Sequence, residues 1–288
     1  MRWILLVFLL ISCTDNSDEE MKLFINSLSS GSSIPSIPEN GVRVFLITGQ
    51  SNARGRAPNS SATSEELLPQ PQMQIWNNGS SVFQDLRIGV NSQDIINGDH
   101  SIELGLSQSF NTYFPNETGY IIKYAVSSTP IRYHIPEDGT VYNVFKERVE
   151  SGINNLINQG KIPYVYFIYS QGERDANPDS DAAGDTPSAH LLRFKTLLDL
   201  WQTNLGTDLP FVAYETLDFY TGSLEVNSNM LSYEGVTYPH YKMLPMVNET
   251  DIGDGLHFDY QAHKNASIKS LDFFQNNLGQ PVESLISL

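Results

Sequence analysis

Five short apolar runs punctuate the chain, at 42–48, 73–76, 119–126, 163–169 and 209–214. They are rich in β-branched and aromatic side chains, and the pattern predicts buried strands of a parallel sheet. Helical patterns lie between or after them, at about 101–112, 140–158, 188–205 and 261–277. Val144, Val149, Ile153, Leu156 and Ile157 fit one helical face, as do Leu191, Phe194, Leu197, Leu198 and Trp201. Ile102, Leu104, Leu106 and Phe110 are only roughly periodic. Gly160 and Gly206 follow two of these helices as stop signals. Strands alternating with helices predict an α/β protein: a three-layer α/β/α sandwich around a central five-stranded parallel sheet. The loop-rich stretches 77–100, 127–139, 172–187 and 216–255 are long enough to build a site at one end of that sheet.

The amino-terminal stretch breaks this pattern. Arg2 is followed by the apolar run Trp3 to Ile11 and then by Ser12-Cys13. The run is too short to span a bilayer and reads as a signal-peptide core. Leu10-Ile11-Ser12-Cys13 resembles the bacterial lipobox, which implies lipidation of Cys13; an ordinary secretory signal is the alternative. Asp15, Asp18, Glu19 and Glu20 resemble the acidic export tags of surface lipoproteins. The expected organisation is a signal segment 1–13, a Ser-, Pro- and Gly-rich tether 14–40, and one domain over 41–288. The expected location is the bacterial cell envelope, as an outer-membrane lipoprotein held to the membrane by its lipid.

Charge and cysteine usage narrow the chemistry. The net charge is −16, with 17 Lys and Arg against 33 Asp and Glu. No basic stripe exists to neutralise phosphates, so nucleic acid is excluded as a partner. The single cysteine excludes an intrachain disulfide and a Cys-rich zinc site. His100, His134, His190, His240 and His263 are scattered with no metal-ligand spacing, so no metal is expected. They read as loop or surface residues, with His134 and His240 the nearest to pocket positions.

Three polar blocks fall where strands should end. Gly49-Gln50-Ser51-Asn52 closes the first strand, where a serine is exposed, rigidly held and close to free backbone N–H groups. Taken alone, Ser51 reads first as a turn or cap residue. Gln171-Gly172-Glu173 and Asp175 follow the fourth strand. A glutamine there can aim its amide at an oxyanion, or the block is only a polar turn. Asp254-Gly255-Leu256-His257 precedes the last helix, so Asp254 can fix the tautomer of His257 and leave its Nε2 as a base. The alternative is a helix-start Asp beside an incidental His.

Together these blocks resemble the SGNH hydrolase superfamily, in its sialate O-acetylesterase-like branch, over about residues 42–277. That branch includes carbohydrate esterases acting on acetylated xylan. Lys123 to Ile131 and Glu103-Leu104 resemble further family segments. The resemblance implies a flavodoxin-like fold and a serine esterase for acetylated carbohydrates, without cofactor. It implies Ser51 as nucleophile, His257 as base, Asp254 as its orienting acid, and an oxyanion hole from Ser51, a backbone N–H near Ser128, and the Gln171 side chain. Gln50, Asn52, Arg54, Glu173 and Asp175 are expected as substrate or support residues. Ser127 and Ser128 stand where the family has glycines, and Ala53-Arg54 where it has Met and a small residue. Arg54 is expected to pair with Glu173 or Asp175; contact with an acidic sugar is the alternative. A carbohydrate-binding lipoprotein that has lost turnover is the competing function. Gly-x-Ser-x-Gly is absent, which separates the chain from α/β-hydrolases.

Overall fold

The five expected strands and four expected helices all form in the computed structural model of the chain, which describes residues 36–92, 99–179, 184–235, 237–246 and 248–288. In chain order the elements begin with β1 (Gly41–Gly49), a helical turn α1 (Ser51–Arg54), β2 (Ala57–Pro58), β3 (Gln70–Asn77), β4 (Val82–Leu86) and β5 (Asp99–His100). Then come α2 (Ile102–Tyr113), β6 (Gly119–Ala125), α3 (Thr140–Asn158), β7 (Ile162–Ser170) and a second turn α4 (Glu173–Ala176). The chain continues through α5 (Pro187–Leu205), β8 (Phe211–Tyr214), α6 (Ser223–Leu231), β9 (Tyr241–Leu244), α7 (Tyr260–Asn276) and β10 (Gln280–Pro281). The expected signal segment with Cys13, and most of the expected tether, lie outside the described residues. Residues 37–288 cluster as one unit.

The main sheet runs β4-β3-β6-β1-β7-β8-β9, with β10 beside β7. All neighbours from β3 to β9 are parallel. Only β4 on β3 and β10 on β7 are antiparallel. Numbered along the chain, β6-β1-β7-β8-β9 is the flavodoxin-like order 2-1-3-4-5. The sheet is therefore wider than the five strands expected. The predicted strand at 73–76 is an edge addition that forms a hairpin with β4. The fifth strand of the central five is β9, in a stretch read as loop. Its four residues, Tyr-Lys-Met-Leu, are too few to show a period. α6 escaped notice for a related reason: its buried face is Ser223, Val226, Asn227 and Met230, half of it polar.

Strand alternation divides the core into two layers. Val44 and Leu46 of β1 pack with Phe145 and Val149 of α3 and with Phe194 and Trp201 of α5. Phe45 and Ile47 face the opposite way, onto Phe110 of α2 and Leu271 and Phe274 of α7. All of these are fully buried or nearly so, each side chain contributing about 1.5–3 kcal/mol. Both faces of β1 are thus covered, and β1 lies between β6 and β7. The crevice beyond its carboxyl end is the topological switch point, where open α/β sheets bind ligands.

Candidate active site

The strand β1 ends where it must. Gly49 sits at φ +142°, and a Cβ there would lie 2.0 Å from the Ser170 carbonyl oxygen of β7. Only glycine allows the two strand ends to come this close. Gln50 N–H then donates to that same oxygen at 2.9 Å, and α1 starts with Ser51. The far end of this turn is also fixed. Lys123 Nζ donates to the Arg54 carbonyl at 2.9 Å and to Ser101 Oγ at 3.1 Å, and Ser101 Oγ donates to the Ala53 carbonyl at 2.8 Å. Glu103 neutralises Lys123 at 2.7 Å in a buried pair. These two residues stood out in the sequence only by resemblance. Their work is to hold the turn that presents Ser51, a cation meeting the last carbonyls of a helical turn.

The segment 251–258 brings the imidazole to that turn. The Asp251 carboxylate accepts the N–H groups of Gly253 and Gly255, and the Asp254 carboxylate accepts those of Leu256 and His257. Such local side-chain to backbone bonds make a self-tied loop. His257 Nδ1–H donates to Asp254 Oδ2 at 2.6 Å, and its Nε2 meets Ser51 Oγ at 3.0 Å. Burial pushes the Asp254 carboxyl up, but the His257 side-chain and backbone hydrogen bonds outweigh this and hold it below its usual range. With Nδ1–H committed to Asp254, Nε2 is left to accept the Ser51 O–H. Asp251 carried no recognisable signal in the sequence beyond the two glycines it ties.

Asn52 fixes the approach of this loop. Its amide donates to Glu173 Oε1 at 2.6 Å and to the Leu256 carbonyl at 3.2 Å, and its oxygen accepts Phe258 N–H at 3.0 Å. The residues on both sides of His257 are therefore held by one side chain. Burial raises the Glu173 pKa, partly offset by its own backbone N–H and by Asn52. Gln50 reaches the Arg174 N–H at 3.3 Å.

Two expectations fail here. Gln171 does not offer its amide to an oxyanion: both N–H groups point inward, to the Thr129 carbonyl at 3.2 Å and to Asp175 Oδ2. Asp175 also accepts the Ile131 N–H at 3.0 Å. Gln171 and Asp175 together clamp the loop after β6. Burial raises the Asp175 pKa to about 7. Arg54 pairs with neither Glu173 nor Asp175; it donates to Ser127 Oγ at 3.2 Å. Those carboxylates are already engaged behind the site. Ser128 is exposed and takes φ +61°, the left-handed region a glycine would occupy freely.

The other histidines also differ from expectation. His100, His134, His190 and His263 are buried, not at the surface; only His240 is partly exposed, 3.7 Å from Asp208. Burial holds all four buried rings below the usual histidine range, so they pack as neutral rings. His190 stacks on Phe194, and His134 meets Thr129 Oγ1 at 3.0 Å. Among the described residues no group of three or more His, Cys, Asp or Glu is placed to hold a metal ion.

A hydroxyl, an imidazole and a carboxylate in hydrogen-bonded series at the switch point of a flavodoxin-like sheet define an SGNH-type hydrolase fold. Within that class the chain belongs to the carbohydrate esterase family of sialic acid-specific acetylesterases, which matches it over residues 41–272. No curated protein matches it by sequence. Solved structures match it in fold. A protein of Arabidopsis thaliana is similar at 14% identity and TM-score 0.68, over 83% of this chain and 100% of that one. NanS is similar at 12% identity and TM-score 0.58, over 84% and 100%. A carbohydrate acetylesterase from Xanthomonas citri is similar at 10% identity and TM-score 0.56, over 81% of this chain and 56% of that one. At these identities the likeness is one of fold.

Proposed function

We propose that this esterase removes O-acetyl groups from carbohydrates through an acetyl-enzyme formed on Ser51, with no cofactor. The observation that carries the reading is the bridge made by His257, 3.0 Å from Ser51 Oγ and 2.6 Å from Asp254. A serine hydroxyl is a weak nucleophile until a positioned base takes its proton. As Ser51 Oγ attacks the acetyl carbon, its proton passes to His257 Nε2, and Asp254 stabilises the imidazolium. The tetrahedral intermediate collapses by breaking the bond to the sugar oxygen, which leaves with the proton from Nε2. Water repeats the sequence on the acetyl-serine and releases acetate.

The oxyanion is assigned to the backbone N–H of Ser51 and a backbone N–H near Ser128. Each such donor contributes roughly 2.7–4 kcal/mol to the transition state. The left-handed backbone at Ser128 supports this assignment, because it preserves the path a glycine would give. Gln171 acts from behind, as part of the clamp on that loop.

Release of p-nitrophenol from p-nitrophenyl acetate tests the reading. Turnover by the wild type that falls at least about a thousandfold in Ser51→Ala and in His257→Ala is the expected result. Turnover that survives Ser51→Ala would refute the acetyl-enzyme.

A further inference from the structure

A cavity of about 350 Å³ lies on the β6 and β3 side of Ser51, lined by Arg54, Trp76, Asn77, Lys123, Tyr124 and Arg148 among others. Its described lining holds three cations and no carboxylate, on a chain whose acidic residues outnumber its basic ones 33 to 17.

The three cations differ in what they have left to offer. Lys123 is buried and paired with Glu103. Arg148 donates to the Lys123 carbonyl at 3.1 Å and lies over the Tyr124 ring, 4.4 Å from its centroid. Arg54 is only partly buried, and among the described residues its one side-chain hydrogen bond goes to a neutral oxygen, Ser127 Oγ. The rest of its guanidinium fork meets no acid among the described residues. Arg54 is also three residues beyond Ser51 on one helical turn, so the two side chains leave neighbouring points of it, roughly 5–6 Å apart at Cβ.

We propose that Arg54, braced by Ser127, is an anion subsite, so that the sugar delivering its acetyl ester to Ser51 carries a negatively charged oxygen group. A carboxylate and a sulfate ester both match a forked guanidinium. As a statement about turnover this rests on the acetylesterase reading. As a statement about binding it does not.

The test uses the full chain and pairs of acetyl esters that differ in charge. These are 9-O-acetyl-N-acetylneuraminate and its methyl ester, acetylated glucuronate and its methyl ester, and acetylated glucose 6-sulfate and acetylated glucose. The wild type should favour the charged member of at least one pair by about ten- to a hundredfold in kcat/KM, mostly through KM. That ratio should fall to near one in Arg54→Gln and partly return in Arg54→Lys. Which pair responds separates carboxylate from sulfate. Turnover with no charge preference, or a preference that Arg54→Gln leaves intact, overturns the subsite. Should no ester be hydrolysed, the esterase reading fails and calorimetry decides the subsite. Titration with N-acetylneuraminate, glucuronate and glucose 6-sulfate against glucose would then show charged-sugar binding that Arg54→Gln abolishes. Binding that is absent, or equal for charged and neutral sugars, overturns it.

Discussion

Toward His257, Asn52 makes hydrogen bonds at 2.6, 3.2 and 3.0 Å, to Glu173, Leu256 and Phe258. Toward the cavity, Arg54 makes one at 3.2 Å, to Ser127. The two side chains leave the same helical turn, two residues apart. One spends its polar atoms fixing where an imidazole sits; the other keeps most of its donors uncommitted among the described residues. Chemistry needs the first arrangement, because reacting groups misplaced by about 1 Å lose about a hundredfold in rate. Recognition needs the second, because a donor already satisfied within the protein has little to gain from a ligand.

If that contrast is right, Asn52→Ala should show the largest effect of any change outside Ser51 and His257. Leu256 and Phe258 lose their common tie, and kcat should fall about a hundredfold with little change in KM. Glu173 also loses its buried donor, which should lower stability by about 1–3 kcal/mol in urea unfolding. Loss of stability with kcat unchanged would show that Asn52 serves the fold and not the alignment of His257.

Asp175 joins the two sides, since it and Gln171 hold the loop that runs from Ser127 to Ile131. Its carboxyl titrates near 7 in the folded protein, raised by burial from an ordinary value of 3.8. Between those values the folded chain keeps a proton that the unfolded chain releases. The stability Asp175 contributes is therefore complete below about pH 4 and is lost as pH rises through about 7. Asn at this position cannot ionise. Unfolding free energies of wild type and Asp175→Asn should diverge by about 2–4 kcal/mol in favour of the variant between pH 4 and pH 8. A gap independent of pH would mean that the carboxyl titrates alike in both states.

The smallest effect belongs to Ser128→Gly. Glycine relieves a left-handed backbone that costs serine about 1–2 kcal/mol, but it loses about 0.5–1 kcal/mol through the freedom of the unfolded chain. The net gain should lie between about 0 and 1.5 kcal/mol by thermal unfolding, with kcat/KM within about threefold of wild type. A clear loss of activity would assign the Ser128 hydroxyl a part in binding.

What the sequence showed and what it hid follow the same physics. β1, α3 and α5 were legible because their buried positions are apolar and repeat at the strand or helix period. Ser51, Asp254 and His257 were legible because each lies in a short polar block beside such an element. β9 and α6 were hidden because one is four residues long and the other buries polar residues. The direction of the Gln171 amide was hidden because it depends on Thr129 and Asp175, partners brought together only by the fold. The burial of four histidines was hidden for the same reason: a ring such as His190 is placed by what packs on it, here Phe194, and not by its own polarity.

Ser51 and His257 lie 206 residues apart in the chain. Ser51 directly follows the first strand, whereas His257 comes only with the loop before α7, later in the chain than β9. Chains are made from the amino end, and contacts this distant in sequence form late. On the mechanism proposed above, a nascent or interrupted chain would hold the nucleophile without its base and leave esters around it untouched. Hydrolysis by that mechanism would then proofread synthesis: a molecule that turned over substrate would have been translated past His257 and folded that far.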